Sequence, residues 1–228
     1  MSASDENTAA LGRLLLVLTV VTGVVDAVSY LGLGHVFVAN MTGNVVFLGF
    51  AIAGTAGLSV VASITAALAF LLGALLGGRL ANRAAGRWLW LLRQAVSIQV
   101  ALLVVATVLA ATVDVGHRAG SEAVIVMLGV AMGLQNAAVR RIGLPDLTTT
   151  VLTMTLTGFA ADSRLAGGPG AQPWRKLAAV AAMLLGAVSG GLLQLHVSMW
   201  SALLVAVVLA AGVAATTWRL DATVEVGG

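Results

Sequence analysis

One carboxylate, Asp26, stands inside a long apolar run, residues 13–33. An acid at membrane depth is costly and is a functional candidate by default. It can hold or exchange a proton, hydrogen-bond a polar partner such as Asn136, or cap broken backbone near Asn44. Amides and hydroxyls cluster downstream: Asn40, Thr42, Gly43 and Asn44 interrupt the apolar stretch 34–54, GHVFVANMTGNVVFLGFAIAG. A second set lies in the other half of the chain. Gln135 and Asn136 follow Gly133 as Val25 and Asp26 follow Gly23, and Thr153 and Thr155 lie in the Thr-rich stretch 145–164, PDLTTTVLTMTLTGFAADSR. Groups of these types bind by hydrogen bonds rather than by covalent chemistry. Thr42 or Asn44 reads as the N-cap of a half-helix through Val45–Ala53. The free N–H groups at such a start favour an anion or a carbonyl group. The expected substrate-binding set is therefore Asp26, Asn40, Thr42, Gly43, Asn44, Gln135, Asn136, Thr153 and Thr155.

Other chemistry is poorly represented. There is no cysteine, which removes thiolate catalysis, disulfides and Cys-based metal sites. No Ser-His-Asp set, HExxH or catalytic carboxylate pair occurs, and His35, His117 and His196 lack ligand spacing. LLGALLGG (71–78) and LLGAVSGG (184–191) allow close helix packing, but no Lys-Ser/Thr follows to make a phosphate loop. An enzyme is not expected, nor a cofactor or a metal. Asp146 and Asp162 flank the second Thr-rich stretch and are expected to pair with Arg140, Arg141 or Arg164.

The elements that must position these residues are membrane spans. The chain is 60% hydrophobic and 9% charged, against about 25% charged in soluble domains. Residues 58–78, 94–113, 177–195 and 197–217 are uncharged, each near the roughly 20 residues that a spanning helix needs. With 13–33 and 123–141 they make six spans. The stretches 34–54 and 145–164 either cross as well or dip in and return. If both cross, half of the twelve Lys and Arg residues fall on each side. If both dip and the N-terminus is inside, all twelve except Arg118 fall inside, as the positive-inside rule prefers. The net charge of +3 is thus read as topology and not as a nucleic-acid signal. The N-terminus is polar and acidic without a basic n-region, unlike a cleaved signal peptide.

An internal repeat supports the same arrangement. LLGALLGG and LLGAVSGG differ only where Leu75-Leu76 is replaced by Val188-Ser189, an offset of 113 residues. Gly23-Val-Val-Asp-Ala27 lies over Gly133-Leu-Gln-Asn-Ala137 at an offset of 110, and Met41-Thr-Gly-Asn44 over Leu152-Thr-Met-Thr155 at 111. Three spans per half require the halves to be inverted, a transporter architecture. The expected division is a cytoplasmic tail 1–12, repeat one at 13–113, repeat two at 120–218 and a cytoplasmic tail 219–228.

Three blocks carry a family resemblance: Gly23-Val-Val-Asp-Ala-Val-Ser-Tyr30, Asn40-Met-Thr-Gly-Asn44, and Gly133-Leu-Gln-Asn-Ala-Ala-Val-Arg-Arg141 with its Thr-rich sequel. Over roughly residues 12–218 the chain resembles the YoaK family of small bacterial inner-membrane proteins. The resemblance implies six spans and a candidate transporter without a settled substrate. Relatives tend to carry Thr-Gly-Thr where this chain has Thr153-Met154-Thr155. The expectation is an all-α, multi-pass protein of the bacterial inner membrane, with both termini cytoplasmic. Its partners are the lipid bilayer, a small solute bound at the repeat interface near the midplane, and for a homodimer a second copy. The alternative is a non-transporting membrane module that binds a protein partner or lipid.

Overall fold

The computed structural model describes residues 3–143, 152–163, 166–168 and 173–226. Among these residues all regular structure is helical: α1 (Ala3–Gly32), α2 (Met41–Ile52), α3 (Val60–Ala84), α4 (Trp88–Thr112), α5 (Arg118–Ile142), α6 (Leu152–Ala161), α7 (Pro173–His196) and α8 (Met199–Val226). Six are long and apolar enough to cross a membrane: α1 over Ala9–Gly32, α3, α4, α5, α7 over Trp174–His196 and α8 over Met199–Leu220. α2 and α6 are not. Their 12 and 10 residues reach about 18 and 15 Å at about 1.5 Å per residue, against an apolar core of about 30 Å.

The first short helix dips and returns. α1 ends at Gly32, and a Cβ built on Gly34 would lie 3.9 Å from the Ala62 Cβ. His35 Nδ1 lies 3.2 Å from the Gly57 carbonyl oxygen. α3 therefore starts beside the end of α1 and runs along α5. For the second stretch, residues 144–151 and 164–165 lie outside the described residues.

Helix limits follow local chemistry more than lipid thickness. Ser59 caps α3 by accepting the Ala62 N–H at 3.2 Å. α5 stops at Gly143, whose φ of 71° is the left-handed turn that ends many helices. α3 continues past the apolar run through Arg79 and Arg83 to Ala84, and α1 begins at Ala3 in the polar tail. Charged residues of good helix propensity carry both helices beyond the apolar layer.

Two parallel helix pairs organise the bundle, α1 on α7 and α3 on α5. Both depend on glycine. A Cβ on Gly73 would fall on the Val130 carbonyl, and one on Gly133 on the Phe70 carbonyl. In the other pair, a Cβ on Gly186 would fall on the Val20 carbonyl, and one on Gly23 on the Met183 carbonyl. One turn further, Gly77 lies against Leu134 O and Gly190 against Val24 O, both 2.8 Å from the built Cβ. These contacts of the α3–α5 pair map onto those of the α1–α7 pair by adding 113 to the α3 number and subtracting 110 from the α5 number. The remaining packing follows suit: α4 lies on α5 and α8 on α1, α4 and α8 meet, α2 touches α3 and α6 touches α7. Backbones this close gain dispersion contacts that larger residues would prevent.

The charges collect at one end. Arg79, Arg83, Arg87 and Arg93 join the end of α3 to the start of α4, and Arg140 and Arg141 close α5. Arg13, Arg175, Lys176 and Arg219 share that end, where the Arg93 guanidinium lies 4.3 Å over the Trp218 ring. Arg118, at the start of α5, lies at the other. Arg164 is outside the described residues.

Candidate functional site

The first dip leaves backbone groups without helical partners, and two side chains take them up. Asp26 is 3% exposed. Its Oδ1 accepts the Val38 N–H at 3.0 Å and the Ala39 N–H at 2.8 Å. Asp26 stands six residues before Gly32, about 9 Å along the helix, so the dip penetrates at least to that depth. Asn44 is 2% exposed. Its Oδ1 accepts the Phe37 N–H at 2.8 Å, and its Nδ2 donates to the Phe37 carbonyl. One carboxylate and one amide thus satisfy backbone that lipid would leave unpaired. Of the two partners foreseen for Asp26, the broken backbone is the one hydrogen-bonded to it here.

An aromatic cluster holds the segment in place. The Tyr30 and Phe37 rings stack at 5.2 Å, Phe37 and Phe47 at 5.6 Å, and His35 meets Tyr30 edge-on at 5.1 Å. Gly43 makes room for this stack, because a Cβ there would lie 2.7 Å from the Phe37 ring. Its missing side chain serves ring packing.

The N-cap assignment needs correction. α2 begins at Met41, with Asn40 at the cap position and no side-chain capping bond. Neither Thr42 nor Asn44 caps it. Asn44 is engaged by Phe37, whose extended backbone needs a donor and an acceptor together, and an amide supplies both. Asn40 and Thr42 are exposed, so in the first half these are the polar side chains turned outward from the dip.

A second polar set lies between the helix pairs. Gln135 is 1% exposed and Gln99 fully buried. Gln99 Nε2 donates to Gln135 Oε1, and Gln135 Nε2 donates to Thr22 Oγ1 at 3.1 Å. The chain links α4, α5 and α1, and Thr22 precedes Asp26 by one helical turn. Gln99 Oε1 is buried without a hydrogen-bond partner. Gln99 and Thr22 were not expected here. A count of formal charges passes over a lone amide in an uncharged run, although a buried glutamine in lipid is itself a signal.

The other expected residues are dispersed. Asn136 is half-buried and donates to its own helix at Met132 O, 2.9 Å away. Thr153 is exposed, and its carbonyl accepts the Thr157 hydroxyl at 2.8 Å. Thr155 belongs to α6, but its side chain lies outside the described residues, as do Thr148, Thr149 and Thr150. Asp162 pairs with Lys176 at 2.7 Å, a partner not foreseen for it; of the arginines foreseen, Arg164 lies outside the described residues. α6 lies on α7, which brings the buried ammonium of Lys176 to the end of α6. Asp146 is outside the described residues. Among the described residues no group of three or more His, Asp or Glu is arranged to hold a metal.

Comparison with known proteins places these features in a family. The UPF0700 transmembrane protein YoaK of Bacillus subtilis (strain 168) is 35% identical to this chain over 153 residues, which cover 65% of each chain. The match thus spans just under two thirds of that relative's length. No solved structure matches. A family profile described as "Protein of unknown function (DUF1275)" matches residues 14–216. With six apolar helices, two short helices between them and a profile match over nearly the whole length, this multi-pass membrane protein belongs to the DUF1275 family.

Proposed function

We propose that the protein moves a small polar solute across the membrane between two inverted repeats. The repeats are residues 13–113 and 120–218, and the arginine-rich end with both termini faces the cytoplasm of a bacterial cell. The observation that carries this reading is the mapping of one glycine-packed helix pair onto the other by shifts of 110 and 113 residues. Two units of three spans that exchange in this way face opposite directions, as in many carriers.

The packing also suggests which parts move. α1–α7 and α3–α5 each join helices from different halves, and each pair is locked at backbone contact. Among the described residues, these two pairs touch each other through α1 and α5, where Gln135 meets Thr22. Rocking then occurs between two cross-built pairs around this polar contact, and not between the sequence halves. In this reading Asp26, Gly43 and Asn44 keep the first dip in shape. Gln135 holds the contact between the pairs, and Asn40, Thr42, Asn136, Thr153 and Thr155 offer the solute neutral donors and acceptors. The same chemistry suits an anion or a carbonyl compound.

The test uses the absence of native cysteine. Purified protein in proteoliposomes is screened with labelled inorganic anions, monocarboxylates and amino acids. Cysteines are then placed at Thr22 and Gln135 and bridged with a short reducible thiol crosslinker. Flux that stops on bridging and returns on reduction is the expected result. Flux unchanged by the bridge refutes rocking at this contact, and absence of flux for every solute class removes the carrier reading in favour of a binding module.

A further inference from the structure

A basic crevice opens where α3 and α5 end together. Its volume is about 600 Å³, and Arg79 and Asn82 of α3 and Arg140 and Arg141 of α5 supply its polar lining. The remaining lining is Leu75 and small residues such as Gly78 and Ala137. A Cβ on Gly78 would meet nothing within 4 Å, so the space there is open. Among the described residues no acid lines the crevice. Among the described residues, no carboxylate lies in ion-pair reach of its three arginines.

The crevice continues into an apolar stripe. Ile64, Leu68, Leu72 and Leu75 are exposed on α3 at 43%, 62%, 50% and 53%. Their spacing of three and four residues sets them on one face, and Arg79 and Asn82 extend that face. From Val60 to Arg79 the helix rises about 29 Å, so the arginines stand where the apolar layer ends. Trp90, with Arg87 at 5.4 Å from its ring, marks the same level. The α1–α7 pair has matching glycine contacts, but Tyr30, Leu31, Leu192 and Leu195 stand at the matching positions. Helix packing therefore does not require the cations.

We infer that this crevice binds the phosphate-bearing headgroup of an anionic phospholipid, whose acyl chain lies along the Ile64–Leu75 stripe of α3. Guanidinium groups grip phosphate oxygens through paired N–H donors. Basic pockets between spans suit anionic headgroups. A free phosphate would use the same arginines but not the stripe.

The test measures thermal protection and lipid retention of delipidated, detergent-purified full-length protein. The probes are phosphatidylglycerol, phosphatidylcholine and inorganic phosphate. Phosphatidylglycerol is expected to protect the wild type well beyond the other two. Affinity should fall roughly fivefold for each arginine changed to glutamine, and roughly a hundredfold for the triple variant Arg79→Gln/Arg140→Gln/Arg141→Gln. Arg83→Gln, at the same end but outside the lining, should keep wild-type affinity. Gly78→Leu retains every charge and fills the crevice, so it keeps the test open if the triple variant does not fold. Loss of binding in Gly78→Leu supports the site. Equal protection by phosphatidylcholine or by free phosphate overturns the inference, as does unchanged binding in both Gly78→Leu and Arg79→Gln.

Discussion

Replacing Asp26 by leucine removes the acceptor for two buried amides, Val38 N–H and Ala39 N–H. A buried donor left without its acceptor costs about 1–3 kcal/mol, so the pair sums to about 2–6 kcal/mol. Lipid supplies no substitute for water at this depth. Asp26→Asn keeps an oxygen at the same place. It keeps an acceptor for both amides, so its cost should be smaller, about 1 kcal/mol. The expected order of stability is wild type, then Asp26→Asn, then Asp26→Leu. Equilibrium unfolding in mixed micelles measures it. Amide exchange locates it, because protection at residues 38 and 39 should fall in the leucine variant before protection falls in α4 or α8. The reasoning fails if Asp26→Leu unfolds at the wild-type midpoint with those amides still protected. It also fails if the asparagine and leucine variants are equally damaged, since an acceptor would then not be what the site needs. Flux separates the two roles of the acid: a stable Asp26→Asn protein that has lost solute movement assigns Asp26 to transport as well as to the fold.

The repeat makes a paired prediction. Gly73→Ala and Gly186→Ala should each destabilise by roughly 1–3 kcal/mol through forced separation of backbones and to a similar degree, whereas Gly78→Ala should be neutral or mildly stabilising; unfolding midpoints of the three variants decide it. Asp162→Asn removes a charged partner of the buried Lys176 ammonium and should cost about 1.5–3 kcal/mol, nearer the lower end because Asp162 is half-exposed; Asp162→Glu should lose much less in the same unfolding measurement. In the loop after α4, the Gly116 N–H at 2.8 Å and then His117 at 2.9 Å hold the Asp114 carboxyl below the usual carboxylate range. A depressed folded value means that its contribution is present above the unfolded value, about 3.9, and fades as pH falls through the folded value. A carbon-detected NMR titration should place the Asp114 midpoint below that of an unfolded peptide, and His117→Ala should move it up.

Much of this fold could be read from the sequence because a bilayer imposes few and severe demands. A spanning helix needs about 20 apolar residues, so six apolar runs, four of them without a charge, match six long helices. Breaks in such a run need polar help, which is why Asp26 and Asn44 stood out. Their partners did not. Capping preferences rate an asparagine as though its amide were free, but in the fold the Asn44 amide is claimed by Phe37, and the helix starts three residues earlier. Asp162 could have met any of several cations, and Lys176, 14 residues on and across a Gly- and Pro-rich loop, was not among those foreseen. Gln99 was hidden because its run carries no formal charge, although a buried amide needs partners as a carboxylate does.

The glycine blocks show the deeper limit. Their repetition was visible as LLGALLGG and LLGAVSGG, and small residues do signal close helix approach. Small residues do not name the partner helix. The structure supplies it: each LLGA block lies against the Gly23 or Gly133 block of the other half. A change in one block is therefore felt by a block more than a hundred residues away in the α1–α7 pair, and some sixty away in the α3–α5 pair. The ends of the same helices escape that constraint. Arg79 and Arg140 stand where the other pair has Leu192 and Tyr30; in the proposed inverted arrangement the matching ends of the two pairs face opposite sides of the membrane. In that arrangement the glycine contacts place the same demand on the core of both pairs, while the two faces of the bilayer place different demands on the charge of their ends.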